Sequence, residues 1–246
     1  INQGLDDDGP TTISSGDSVA IGNQAGRCYQ RYNSVAVGDK CGLENQKQNA
    51  VAIGSRAGES NQGTRAVAIG RQAGKGDQNK FAVAIGTQAG LLGQNKYAVA
   101  IGDRAGRDNQ SEDSVAIGTY AGQYNQNQNS VAIGFHGGES YQDEEAVAIG
   151  YRAGENQQGE YAVAIGSYAG QSYQKNQAVA IGHYAGQDSQ NQYAVAIGHL
   201  AGNLGQPTKS IIINANQLAL NATPADAEGF FVRPIRANQI AWDGAK

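Results

Sequence analysis

The sequence predicts an all-β fold, a parallel β-solenoid, on three observations. A motif returns every 16 residues without slipping, apolar residues alternate with period two inside it, and no helical 3.6-residue spacing runs through it. Val-Ala-Ile-Gly, once Val-Ala-Val-Gly, begins at Val19, Val35, Val51, Val67, Val83, Val99, Val115, Val131, Val147, Val163, Val179 and Val195. With each Val counted as position 0, Ala-Gly fills positions 6 and 7 in ten of the twelve copies, with Cys41-Gly42 and Gly137-Gly138 in the others. A period that never slips makes every repeat the same physical unit stacked on the last, because an inserted residue would break the register of all that follows.

Residues 1–17 precede the first copy and read as an N-terminal lead-in or cap. The chain opens at Ile1 and holds no Met, as expected of a processed product or a piece of something longer.

Residues 18–206 form the shaft. In each copy Ala/Ser-Val-Ala-Ile-Gly reads as a strand closed by a turn that tolerates positive φ, and a weaker second segment follows. Two short strands and two turns make one coil, and twelve coils at about 4.8 Å each give a rod roughly 58 Å long. Val and Ile lie on one strand face and the neighbouring Ala or Ser on the other, with no charge on either, so both faces are expected to be buried. Val and Ile are assigned to the coil interior and the Ala/Ser face to a subunit interface. Position 11 is Gln in every copy: Gln30, Gln46, Gln62, Gln78, Gln94, Gln110, Gln126, Gln142, Gln158, Gln174, Gln190 and Gln206. Amides stacked at strand spacing form a ladder, and these Gln are expected to be structural.

Residues 207–246 break the pattern. A degenerate thirteenth copy starts at Ile211, Pro207, Pro224 and Pro234 appear where the repeats have none, and Phe230, Phe231 and Trp242 add bulk. The end of a solenoid exposes an unpaired edge, so this stretch is expected to be a cap or transition segment.

Composition excludes several functions. Val, Ile, Leu and Phe make up 44 of 246 residues, a thin supply for a core, yet a net charge of −4 is too small to hold the chain open as disordered. Self-association along the rod would supply the missing burial. A mildly acidic chain lacks the basic face of a nucleic-acid binder, and no run of 18 apolar residues is present to span a bilayer. Cys28 and Cys41 sit at different positions of adjacent coils and are not expected to pair. No cofactor or metal is expected, since His183 and His199 stack without a third ligand.

The candidate ligand-binding row is position 5, which a solenoid aligns along the rod. Its C-terminal half holds Tyr120, His136, Arg152, Tyr168 and Tyr184, with Phe135, Tyr151, His183 and His199 beside them at position 4. Rings interleaved with a planar guanidinium suit glycans. Glu112, Glu144 and Glu160 share another column at spacings near those of glycosidase carboxyl pairs, about 5 to 10 Å by the coil rise. A solenoid produces such spacings automatically, and the chain is not expected to be an enzyme.

Ser-Val-Ala-Ile-Gly at Ser18 to Gly22, Ser114 to Gly118 and Ser130 to Gly134 resembles the head repeat of trimeric autotransporter adhesins, over about residues 18 to 206. The resemblance implies a left-handed β-roll assembled as a parallel homotrimer, although that family's usual unit is shorter. Ser210 to Ala215, Leu220 to Thr223 and Gly229 to Arg236 are similar to the segment after such repeats in viral tail fibres. There an endosialidase-type intramolecular chaperone domain often follows and cuts itself off after trimerisation; this sequence holds no such domain.

The expected function is therefore a structural and adhesive fibre on a virion or cell surface, extracellular, with itself as partner and a glycan or cell-surface receptor as ligand. The alternatives are a polysaccharide-degrading tail spike and an ice-binding solenoid. Ice-nucleation proteins also repeat every 16 residues, but they present Thr rows, whereas Thr64, Thr87 and Thr119 are scattered here.

Overall fold

A computed structural model of the protein describes residues 17–222 and 228–234. Residues 1–16 of the lead-in expected over 1–17, and the bulk of Trp242, lie outside the described residues.

Each Val-Ala-Ile triplet is a three-residue strand, from Val19–Ile21 through Val115–Ile117 to Val179–Ile181, and Val195–Gly198 adds one residue. Every strand pairs in parallel with the one 16 residues on, Val against Val and Ala against Ala, which is the register a stacked repeat requires. With Ser210–Asn214 and Gly229–Arg233 they form a long sheet of fourteen strands. Positions 9 to 11 form the opposite wall. Six strands, Leu92–Gln94 to Ser172–Gln174, make a second parallel sheet there, and single bridges from Cys28 to Leu92 and from Ser172 to Leu204 prolong it both ways. The molecule is thus a parallel β-solenoid of 16-residue coils. No helix of the described residues is long and apolar enough to cross a membrane.

Turning the chain through a full coil in 16 residues requires backbone that L-residues seldom adopt. In the coil that begins at Val131, His136 (φ 54°), Tyr141 (φ 59°) and Glu145 (φ 55°) are all left-handed, and the other coils turn at the same three positions. Position 3 is stricter. A Cβ on Gly134, at φ 119°, would stand 2.5 Å from the carbonyl oxygen of Gly150 in the next coil, so the stacked backbones leave room for glycine alone.

The interior is built from the smallest apolar side chain and an amide. Position 1, from Ala36 to Ala196, and position 6, from Cys41 to Ala201, run side by side as fully buried columns, filled by Ala except at Cys41 and Gly137, and Ile212 and Ala222 join them at the end. Beside them, Gln126 crosses the interior: its Nε2 donates to Val115 O (2.8 Å) in its own coil and to Gln142 Oε1 (3.2 Å) in the next. The same bond from coil to coil links Gln46 through to Gln206. Gln30, at the first coil, donates only to backbone. From Gln46 onward each amide therefore ties the two walls together and the coils to one another.

This arrangement overturns the assignment of the strand faces. The Ala at position 1 is the inward residue, at 0% exposure from Ala36 onward, and Ala or Ser at position 15 is buried too from Ser34 onward. Val is half-buried or exposed on the outside, and Ile or Val at position 2 points out with it. The physical reason is the width of the coil. A Gln side chain rooted in one wall reaches the Val carbonyl of the other at 2.8 Å, and walls that close cannot also hold Val and Ile between them. Ser at position 15 has its own reason: Ser114 and Ser130 each donate to the carbonyl three residues back at 2.6 Å, closing the turn.

The tail extends the solenoid before ending it. Ser210–Asn214 stacks on Val195–Gly198 in repeat register, and Gly229–Arg233 stacks on it with a longer step, Ile212 against Phe231. Buried Ile212 takes the place of the inward Ala, so the interior widens here and Leu220 and Phe231 pack against it. Asn214 replaces the turn glycine and donates to His199 O (2.7 Å) and Leu218 O (2.8 Å).

Candidate functional site

The turn that follows each Val-Ala-Ile strand carries positions 4 and 5, and in coils 7 to 12 it carries rings. Tyr120 and His136 stack at 4.7 Å, and Tyr168 and Tyr184 at 4.8 Å. Phe135 stacks on Tyr151 at 5.5 Å in the neighbouring column, and His183 on His199 at 5.4 Å. These spacings are the coil rise plus a slight offset, so the backbone repeat itself sets the stacking.

The two columns also touch each other. Phe135 meets His136 edge-on at 4.1 Å, and Tyr151 meets Tyr168 at 5.2 Å. Position 4 of the tenth coil is Ser167, which leaves a rung empty. Tyr168 lies 5.2 Å from Tyr151 on one side and 6.5 Å from His183 on the other, and so bridges that rung. The result is a belt of eight rings, Tyr120 to His199, without a break. Arg104 extends it on one side, with its guanidinium 5.2 Å over Tyr120 and Nη1 donating to the Tyr120 hydroxyl at 2.7 Å. Arg152 lies 5.7 Å from the Tyr151 ring. The contact with the Tyr151 hydroxyl raises the Tyr168 phenol above its ordinary value, with loss of solvent adding to it.

All five residues of the expected row are thus on one turn, but not as isolated, outward rings. Tyr120, His136, Tyr168 and Tyr184 are half-buried and their flat faces are covered by one another. What the belt presents to solvent is hydroxyls, ring edges and the outer column, where Phe135 and Tyr151 are 41% and 42% exposed. The alignment of position 5 follows from the period; that the rings would pair with each other needed the actual offset of the two columns.

The carboxylate column lies on the opposite turn. Glu112 and Glu144 line an open polar groove with Asn95, Ser111, Asn127 and Gln128, and Glu112 is paired with Lys96 at 3.2 Å. Hydrogen bonding and charge from Glu112 raise the Lys96 ammonium above its usual value. Glu160 lies near Asn176, whose Nδ2 is 3.4 Å from its Oε2.

One cluster escaped the sequence reading. His136, Glu139 and Glu155 bring one possible ligand atom each within 4.8 Å of one another. His136 belongs to the ring belt, whereas Glu139 and Glu155 stack at position 8, a column that mixes Arg, Lys, Leu, Gln and Glu along the chain and shows no pattern by itself. Reading positions 5 and 8 together would have found it. The two cysteines, Cys28 and Cys41, are both free, and burial of Cys41 in the Ala column pushes its thiol up to about 11.

Compared with known proteins, the chain matches no family model, no curated protein and no solved structure, so its repeat and its coil geometry are what describe it.

Proposed function

We propose that the chain is the shaft of a structural and adhesive fibre, a parallel homotrimeric rod at the surface of a virion or cell that presents a glycan- or receptor-binding surface. The observation that carries this reading is the outer face of the long sheet. Val and Ile stand there in unbroken rows from Val19 to Ile213, with Ile21, Ile53, Ile101, Ile117, Ile165, Ile181 and Ile197 all exposed, and no charged residue interrupts these thirteen strands. Thirteen strands at about 4.8 Å make this stripe roughly 60 Å long. Contiguous apolar surface of that extent favours an interface over solvent. A flat face three residues wide suits a shared axis, as in the adhesins that the repeat resembles, and identical coils on each chain give that axis matching contacts at every level.

The ring belt supports the adhesive half of the reading. Its hydroxyls and the Arg104 and Arg152 guanidiniums offer hydrogen bonds in one line, with the exposed Phe135 and Tyr151 rings beside them for contact with the C–H face of a sugar.

Light scattering on the purified chain tests the assembly: a mass three times the 25.6 kDa of one chain is expected at micromolar concentration. A single-chain mass overturns it. A glycan array with the same sample tests adhesion, with binding expected to fall in Tyr151→Ala.

A further inference from the structure

We propose that His136, Glu139 and Glu155 form a binding site for a first-row divalent cation, of the Zn²⁺ or Mn²⁺ kind, within a single chain. Three observations converge on it. The donor set is an imidazole and two carboxylates, a nitrogen and oxygen combination that suits these ions and leaves positions open for water. His136 Nδ1 lies 2.5 Å from Glu139 Oε2, and Glu155 enters from the next coil, stacked on Glu139 by the repeat.

The second observation is how firmly the donors are held. The His136 ring is fixed between Tyr120, stacked at 4.7 Å, and Phe135, edge-on at 4.1 Å. Gln171 Nε2 donates to Glu155 Oε2 at 2.6 Å, and Gln187 donates in turn to Gln171 at 3.1 Å. Such outer hydrogen bonds orient a metal-binding carboxylate.

The third is an unmet demand. Glu155 is 8% exposed, and its Oε1 lies 3.7 Å from Arg152 Nε, beyond hydrogen-bond reach. Arg152 Nε is itself buried without a hydrogen bond. A half-buried and a buried carboxylate one coil apart, faced by the His136 imidazole and by a guanidinium set too far for a hydrogen bond, make a pair that a divalent ion would bridge. An ion about 2.1 Å from each donor needs donor atoms about 3 to 3.4 Å apart, so the His136–Glu139 pair at 2.5 Å must open and the wider separations, within 4.8 Å, must close, both by side-chain rotation in the two Glu.

The site uses one chain only and so stands or falls separately from the trimer. The test is titration of the full chain, stripped with chelator, with ZnCl₂ and with MnCl₂ by calorimetry, followed by thermal melting with and without the metal. One saturable ion per chain is expected, with affinity at least tenfold weaker in His136→Gln and in Glu155→Gln, and a melting temperature that rises with metal in the wild type but not in His136→Gln. A titration without saturable binding overturns the proposal. So does binding that survives both variants but is lost in a His183→Gln, His199→Gln double variant, which would place the ion on that stacked imidazole pair. Should Glu155→Gln fail to fold, the partly exposed His136→Gln, checked by circular dichroism, decides the matter alone.

Discussion

At the scale of the residue, the solenoid is governed by a few positions where the backbone or the interior leaves little choice. Glu145 has a left-handed backbone at φ 55°, whereas its neighbour Glu144 on the same turn does not. A β-branched side chain is strained in that region, so Glu145→Val is expected to lower stability by about 1 to 2 kcal/mol, while Glu144→Val stays within about 0.5 kcal/mol of wild type. Urea unfolding of the two variants checks this, and equal midpoints would show that the turn relaxes instead. Cys41 makes a second case. Its thiol sits in the Ala column and its pKa is pushed to about 11 by loss of solvent, from an ordinary 9.0. The folded state thus holds the proton more tightly than the unfolded one. Its stabilising contribution is complete below pH 9, and about 2 to 3 kcal/mol is lost as pH rises from 9 through 11. Cys41→Ala, which installs the residue most other coils carry, is expected to remove that part of the alkaline decline. Iodoacetamide at pH 8 should label Cys28 in the native protein and spare Cys41.

The coil is the next scale, and there the Gln amide rather than apolar bulk specifies the structure. Gln126 donates to Val115 O, Ser130 O and Gln142 Oε1, and accepts from Gln110. Gln126→Leu keeps the length but leaves these groups unpaired in a site with no access for water. With about 1 to 3 kcal/mol for each buried orphan, the loss should be about 3 kcal/mol or more. Gln30→Leu, at the end of the ladder, should cost less, and thermal melting of the two variants compares them directly. A deletion tests the repeat itself. Removing Gly102 shifts every later residue by one place and turns inward Ala outward, whereas Asp103→Asn changes one side chain, so only the deletion should collapse the melting temperature. The period that makes this true was plain in the sequence, because backbone stacking at fixed intervals forbids any slip. The second wall was fainter, since positions 9 and 10 vary from Leu92 and Gly93 to Ser140 and Tyr141 and are held by backbone pairing and the adjacent Gln. The direction of the faces was not legible from alternation. Period two divides Val and Ile from Ala but does not say which set faces in; only the span of Gln126 across the interior, known once both walls are placed, decides it. The same limit applies to the candidate sites, where a column such as position 5 can be aligned from the period but the meeting of His136 with Glu139 and Glu155 depends on how two columns lean.

For the whole molecule, the consequence of small residues inside is branched residues outside. A coil filled by Ala and amide has little apolar burial of its own, and the Val and Ile that could supply it lie on the surface, where they stabilise the rod only if something covers them. Polar substitution of that stripe therefore separates two kinds of molecule. If the chain works as a monomer, Ile117, Ile165 and Ile181 are exposed side chains whose replacement by Ser changes stability little, each within about 0.5 kcal/mol. If three chains share the stripe, each Ile gains burial on assembly. Since it is already partly covered within its own chain, its share is about 1 kcal/mol, half or less of the value for complete burial. Three substitutions in three chains then remove about 9 kcal/mol from assembly, more than six powers of ten in the association constant. The expected result for the Ile117→Ser, Ile165→Ser, Ile181→Ser variant is a sedimentation mass that falls threefold at micromolar concentration, together with a lower melting temperature and an unchanged β-type circular dichroism spectrum in the cold. A variant that sediments and melts as the wild type does would mean that the stripe faces solvent in the working protein, and the assembled shaft would have to be given up.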